Sequence, residues 1–350
     1  MHRWRLFIVC VLAVATVVIF SVIDRAESAP QRATHGRRAD ASGVARHRSP
    51  PKLQVSTTSA KAVSLQPPFA VGLRVIRFVD LARRVQLPDG KIEPRILVTY
   101  VRYPALGRRN RSDVASAPAA RAAGPYPLIV FGHGYAATPA LYTHLLLAWA
   151  RAGYVVAAPV FPLGNANAPG GPNEADLVHQ PADVRFVITR MLAASASDGN
   201  PLSGMIDLTH IAVAGQSDGG DTALAVAYDS YFRDRRVGAA VILSGAEIPG
   251  VGGFDFPQGS PPLLAIQGTA DTVNPPYLTS AFYSVASRPK FLLTVVGATH
   301  MSPYTDQGPQ LPIVERATIA FLDHYLKGGP LERLLAAGSV PGIAQLASDP

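Results

Sequence analysis

Between residues 128 and 327 short apolar runs alternate with helix-length segments, and this alternation narrows the possible folds more than any other feature of the sequence. Strands are expected at residues 128–131, 154–158, 211–214, 239–243, 263–267 and 291–296. Helices are expected at 141–152, 181–194, 218–230, 276–286 and 312–327. Parallel strands need long crossover connections, so strand–helix alternation implies a parallel sheet covered on both faces. Two earlier runs, 71–79 and 95–103, read as a hairpin of strands added at one edge, before a polar loop at 107–124. The expected total is about eight strands, and no internal repeat is visible. Residues 331–350 read as a short helical segment and a loose end.

The N-terminal part has a different character. His2, Arg3 and Arg5 precede an apolar run of 18 residues, 6–23, which is the pattern of an export signal. The run is just long enough to span a bilayer. Ala26 and Ser28 have the small-residue spacing of a cleavage site, so both a cleaved leader and a retained anchor fit residues 1–28. Residues 29–66, rich in Ala, Arg, Ser, Thr and Pro, read as a disordered basic linker that would tether a retained body to the membrane. Residues 1–66 carry ten basic against three acidic residues, which is +7 of the formal +8. The body after them is close to neutral and offers no basic surface for nucleic acid. Cys10 is the single cysteine, so the body contains no disulfide, catalytic thiol or thiolate metal site.

Chemistry is concentrated in three places after strands. Gly215-Gln216-Ser217-Asp218-Gly219 is a G-x-S-x-G motif with an expected strand before it and a helix after it. That context forms a tight turn that exposes a serine, with Gly215 and Gly219 where neighbouring backbone comes close. Asp271 follows the strand at 263–267, and His300 follows the strand at 291–296. Sites of open parallel sheets lie at the C-terminal ends of their strands, so these three side chains can converge. A serine hydroxyl is a weak nucleophile. His300 would take its proton, and Asp271 would orient the imidazole and stabilise its charged form. Asp255 is the rival acid. His144, His179, His210 and His324 do not follow a late strand.

Acyl transfer also needs donors for a developing oxyanion. Gly132-His133-Gly134-Tyr135 follows the strand at 128–131. The expected donors are the backbone N–H groups of Asp218 and Tyr135, with His133 and Gly134 shaping the loop. Two further loops border this end of the sheet: 161–175, and 251–259 with Phe254 and Phe256 as candidate aromatic contacts. Glu174, Asp176 and His179 are too irregularly spaced to read as a metal site. There is no phosphate loop or cofactor motif, so neither metal nor cofactor is expected.

These residues resemble the α/β-hydrolase superfamily, and within it the branch of lipase-like esterases, dienelactone-hydrolase-like proteins, chlorophyllase-like proteins and platelet-activating-factor acetylhydrolase. The opening strands ending Arg102-Tyr103-Pro104, the run from Phe131 to Tyr142, the segment Gly153 to Pro159, and the Ser, Asp and His motifs carry the likeness across residues 69–327. The resemblance implies a catalytic domain over 67–330 that hydrolyses a small-molecule carboxylic ester, of small or medium acyl group or a lipid, through an acyl-serine. Two departures stand out. Asp218 occupies a position more often apolar or aromatic, and serine stands where true dienelactone hydrolases carry cysteine. A peptidase, amidase or thioesterase would use the same three residues. A non-catalytic binding protein of the same fold would keep the motif but not the turnover.

Overall fold

Ten strands and seven α-helices order the described residues of the chain, a computed structural model covering residues 66–248, 250–251, 255–305 and 309–350. The leader and nearly all of the linker therefore lie outside the described residues, as does Phe254. The strands are β1 (Ala70–Gln86), β2 (Ile92–Ala105), β3 (Val114–Ala115), β4 (Tyr126–Gly132), β5 (Val155–Val160), β6 (Ile206–Gln216), β7 (Val237–Leu243), β8 (Leu263–Gly268), β9 (Lys290–Val295) and β10 (Ala344–Asp349). The α-helices are α1 (Thr143–Arg151), α2 (Gln180–Ala196), α3 (Asp218–Tyr228), α4 (Pro276–Val285), α5 (Ser302–Thr305), α6 (Leu311–Lys327) and α7 (Glu332–Gly338).

All ten strands join one sheet in the order β10-β9-β8-β7-β6-β4-β5-β2-β1-β3. The six strands from β9 to β5 run parallel, and β2 and β1 follow as the expected antiparallel hairpin beside β5. The central strands of the parallel block are buried on both faces, while β9 is fully buried on one, and their residues alternate between two cores. In β4, Leu128 and Val130 join the core beneath α2 and α3, while Ile129 and Phe131 join the core beneath α1 and α6. The fully buried Trp149 of α1 donates its Nε1–H to Thr318 Oγ1 of α6 at 2.8 Å, which ties the second layer together.

The sheet exceeds the expected eight strands by two short edge elements. The C-terminal stretch is not a loose end: β10 pairs antiparallel with β9 from Ala344–Val295 to Asp349–Lys290. Ala344 is buried, and the side chain of Leu346 packs into the space left by Gly338 at the end of α7. Six residues of mixed polarity give little periodic signal, so only the register with β9 reveals this strand. β1 also runs further than expected. Past an irregularity between Asp80 and Arg84 it pairs again with β2, through residues too polar to show alternation.

Candidate active site

Ser217 sits between β6 and α3 with φ 54° and ψ −125°, a left-handed conformation unfavourable for a side chain. The surroundings enforce it. A Cβ on Gly215 would collide with the Gly219 carbonyl, and one on Gly219 would collide with the Gly132 carbonyl. The two motif glycines thus let β4, β6 and the head of α3 close together, which pushes Ser217 outward to a half-buried position. Its N–H is held by Leu243 O at 3.0 Å, and its carbonyl accepts from Gly220 and Asp221.

The loops after β8 and β9 bring Asp271 and His300 together. His300 Nδ1 lies 2.8 Å from Asp271 Oδ2. The other oxygen, Oδ1, accepts from the N–H groups of Val273 and Asn274 at 3.0 and 2.9 Å. Burial pushes the Asp271 carboxyl up, but the His300 hydrogen bond and charge outweigh it and hold the group below its ordinary value. Asp255, the rival acid, is exposed, and His300 bonds Asp271 in its place. The other histidines stand apart: His210 bonds Asp207 at the surface and His324 bonds the Gly329 carbonyl.

The loop after β4 is organised around His133. Phe161 N–H donates to His133 Nε2 at 3.1 Å, which leaves the proton on Nδ1 to bond Gly134 O at 2.8 Å. Both ring nitrogens are occupied, and burial lowers the imidazole to about 4, so His133 is a neutral scaffold. Gly134 has no room for a side chain, because Ser217 Cβ and Gln216 Oε1 lie 3.1 and 2.8 Å from where its Cβ would be. The Tyr135 N–H makes no backbone hydrogen bond among the described residues, and its ring is exposed with the hydroxyl on Pro172 O. Asp218, as first residue of α3, has an N–H with no acceptor inside the helix.

The Asp218 side chain is buried, and its Oδ2 has no partner. Burial, with the charge of Glu174 adding to it, pushes the carboxyl up to about 7, against the opposing charge of His300. One turn on, fully buried Asp221 accepts from Ala246 N–H, and its Oδ2 is also unpartnered.

Three further residues belong to this site and were not expected from sequence. Gln216 joins Tyr142 Oη (2.7 Å) to His300 O (3.1 Å), and its Nε2 also lies 3.1 Å from His300 Nε2. Asn274 Nδ2 ties the Asp271 loop to Ser244 O at 2.7 Å. Gln216 held a variable position of its motif, and Tyr142 and Asn274 have no motif at all, so only the folded chain reveals them.

One expectation about the rim needs correction. Phe256 is buried against Tyr228, with ring centroids 4.9 Å apart, and is a core residue and not a substrate contact. At the start of the loop 161–175, Phe161 is also buried, its ring tilted against that of His133 with centroids 4.8 Å apart. Asp176 serves a structural fork: Arg95 bonds it through both terminal nitrogens at 2.8 and 2.7 Å and reaches Asp183 as well. Among the described residues no cluster of His, Cys, Asp or Glu could hold a metal ion.

Comparison with known proteins bears on the fold and on part of this region. The model of the Chlorophyllase family matches residues 111–266, which include the donor loop and the Ser217 elbow. A solved ferulic acid esterase from Streptomyces cinnamoneus superposes with a TM-score of 0.57 at 23% identity, covering 75% of this chain and 92% of that one. The chain has the α/β-hydrolase fold. No curated protein matches the chain. Within the α/β-hydrolase fold, the strand order and the elbow after β6 place Ser217, Asp271 and His300 at the C-terminal end of one parallel block.

Proposed function

We propose that this α/β-hydrolase is an exported serine esterase that cleaves carboxylic esters of small or medium acyl groups, or lipid esters, through an acyl-serine intermediate. The observation that carries the reading is the 2.8 Å contact between His300 and Asp271 across from a serine on a strained elbow. The Chlorophyllase family match and the esterase likeness support ester hydrolysis as the reaction class. In this mechanism Ser217 Oγ attacks the ester carbonyl as His300 Nε2 takes its proton, and Asp271 stabilises the imidazolium. The N–H groups of Tyr135 and Asp218 receive the oxyanion. His300 returns the proton to the leaving alcohol, then activates the water that releases the acid. Among the described residues the loops over this end of the sheet carry only short helical segments, 139–142, 174–179 and 302–305, and no long helical lid, which suits modest substrates. The basic start and apolar run of residues 1–28 support export, with the linker as a membrane tether where the leader is retained.

Hydrolysis of p-nitrophenyl esters from acetyl to long acyl, by wild type beside Ser217→Ala, tests the reading. The substitution is expected to lower kcat by about 10⁵-fold or more. Equal background rates for both proteins would overturn it. The N-terminal sequence and fraction of the expressed full chain test export: a cytoplasmic, unprocessed product would remove that part.

A further inference from the structure

Gln216 is fully buried beside the histidine, and its orientation is fixed by its neighbours. Tyr142 Oη accepts from Gly134 N–H at 3.2 Å, so its own hydrogen goes to Gln216 Oε1 at 2.7 Å. The His300 carbonyl can only accept, so Gln216 Nε2 supplies the hydrogen there, at 3.1 Å. The second hydrogen of the same nitrogen faces His300 Nε2, also at 3.1 Å. A carboxylate can only accept, so the imidazole proton sits on Nδ1, toward Asp271, and Nε2 presents a lone pair.

We infer that Gln216 is a positioning residue which, together with Asp271, holds His300 in the tautomer needed of a base and opposes protonation at Nε2. The inference rests on the serine-esterase reading above and deepens it. Two carboxyls lie near the ring, Asp271 bonded at Nδ1 and Asp218 at the head of α3. The Gln216 amide is the opposing contact. A ring protonated at Nε2 would meet the amide donor with a donor of its own. In the base step the Ser217 proton moves to Nε2, so the amide hydrogen facing Nε2 must yield, while the bond to the His300 carbonyl keeps Gln216 in place. The amide therefore faces the lone pair of Nε2 at rest, and gives way when substrate engages the serine.

The test is the pH dependence of kcat/KM for wild type, Gln216→Met and Gln216→Glu on one p-nitrophenyl ester, with ¹⁵N-histidine NMR of each protein. Gln216→Met removes the donor and is expected to move the acid limb upward by about half to one pH unit, the weight of one neutral hydrogen bond. Gln216→Glu replaces the donor with an acceptor and is expected to move it by more than about one unit. KM is expected to stay within about twofold, since the amide faces the histidine and not the mouth. Limbs that keep their wild-type midpoint in both variants, with kcat merely scaled down, would assign Gln216 a packing role and overturn the inference. The NMR arm stands even if the variants fold poorly. In wild type, the His300 Nε2 resonance, assigned by its loss in His300→Ala, should have the shift of a lone-pair nitrogen, and a protonated Nε2 at neutral pH would overturn it. A lone-pair Nε2 in a protein without Ser217-dependent turnover would instead refute the esterase reading alone.

Discussion

Asp218 places a carboxyl where negative charge is least welcome, beside an N–H proposed to receive an oxyanion. Burial raises the group to about 7, above its ordinary 3.8. Between those two values the folded chain keeps a proton that the unfolded chain has lost, so folding stability falls as pH rises through this window. Asp218→Asn removes the dependence. It is expected to raise Tm more at pH 8 than at pH 5, with an upper bound of about 4 kcal/mol for a shift of roughly three units. Melting curves at the two pH values check this. The same ionisation acts on turnover: the kcat/KM of Asp218→Asn relative to wild type should climb from pH 6 to pH 8, as the native carboxyl gains its charge. For the Asp271 carboxyl, whose proposed duty is to orient His300, Asp271→Asn should cost about 10⁴ in kcat while the fold persists. Steady-state kinetics on the p-nitrophenyl series measures it.

At the scale of elements, the elbow and the loop after β5 are held by different means. The elbow depends on missing atoms: any Cβ at Gly215 or Gly219 overlaps a neighbouring carbonyl. The loop depends on charge. Arg95 on β2 is 1% exposed and forks onto Asp176 and Asp183, while the same loop meets the donor loop through Ala136 N–H on Gly164 O and Tyr135 Oη on Pro172 O. Arg95→Met would leave buried Asp176 without a cation and Asp183 with Arg83 alone, and is expected to cost about 3–5 kcal/mol, read from urea unfolding. Most of this scale was legible in the sequence. Helix starts at 218 and 276 and the strand start at 263 agree with the structure, because a glycine or proline beside an apolar run marks the boundary in both. Ser217, Asp271 and His300 were legible because each follows an apolar strand in a short loop. What stayed hidden depends on partners distant in sequence: β10 needs β9, Arg95 needs Asp176 and Asp183, and Gln216 needs Tyr142 and His300. Phe256 was misplaced because an aromatic residue in a loop gives no sign of which way it turns, and here it turns to Tyr228.

Across the whole molecule, the two edges of the sheet are finished differently. β3 contributes two residues beside β1, whereas β10 covers the full length of β9. Deleting residues 341–350 would bare the N–H and C=O groups of β9 together with buried Phe291, Leu293 and Val295. An uncovered apolar edge recruits other chains, so the truncated protein should show increased light scattering on heating and a lower Tm. The sheet order also separates the ends of the body. The N-terminal side enters at β1 and the C-terminal side leaves from β10, eight strand spacings away, or roughly 38 Å at about 4.8 Å each. A chain held at its N-terminus and pulled from Pro350 would therefore carry the load sideways through the sheet. β10 has one neighbour and would peel first, one ladder bond after another, while the strands bearing Ser217, Asp271 and His300 stay joined. β10 is thus a mechanical fuse on the far side of the sheet from β1.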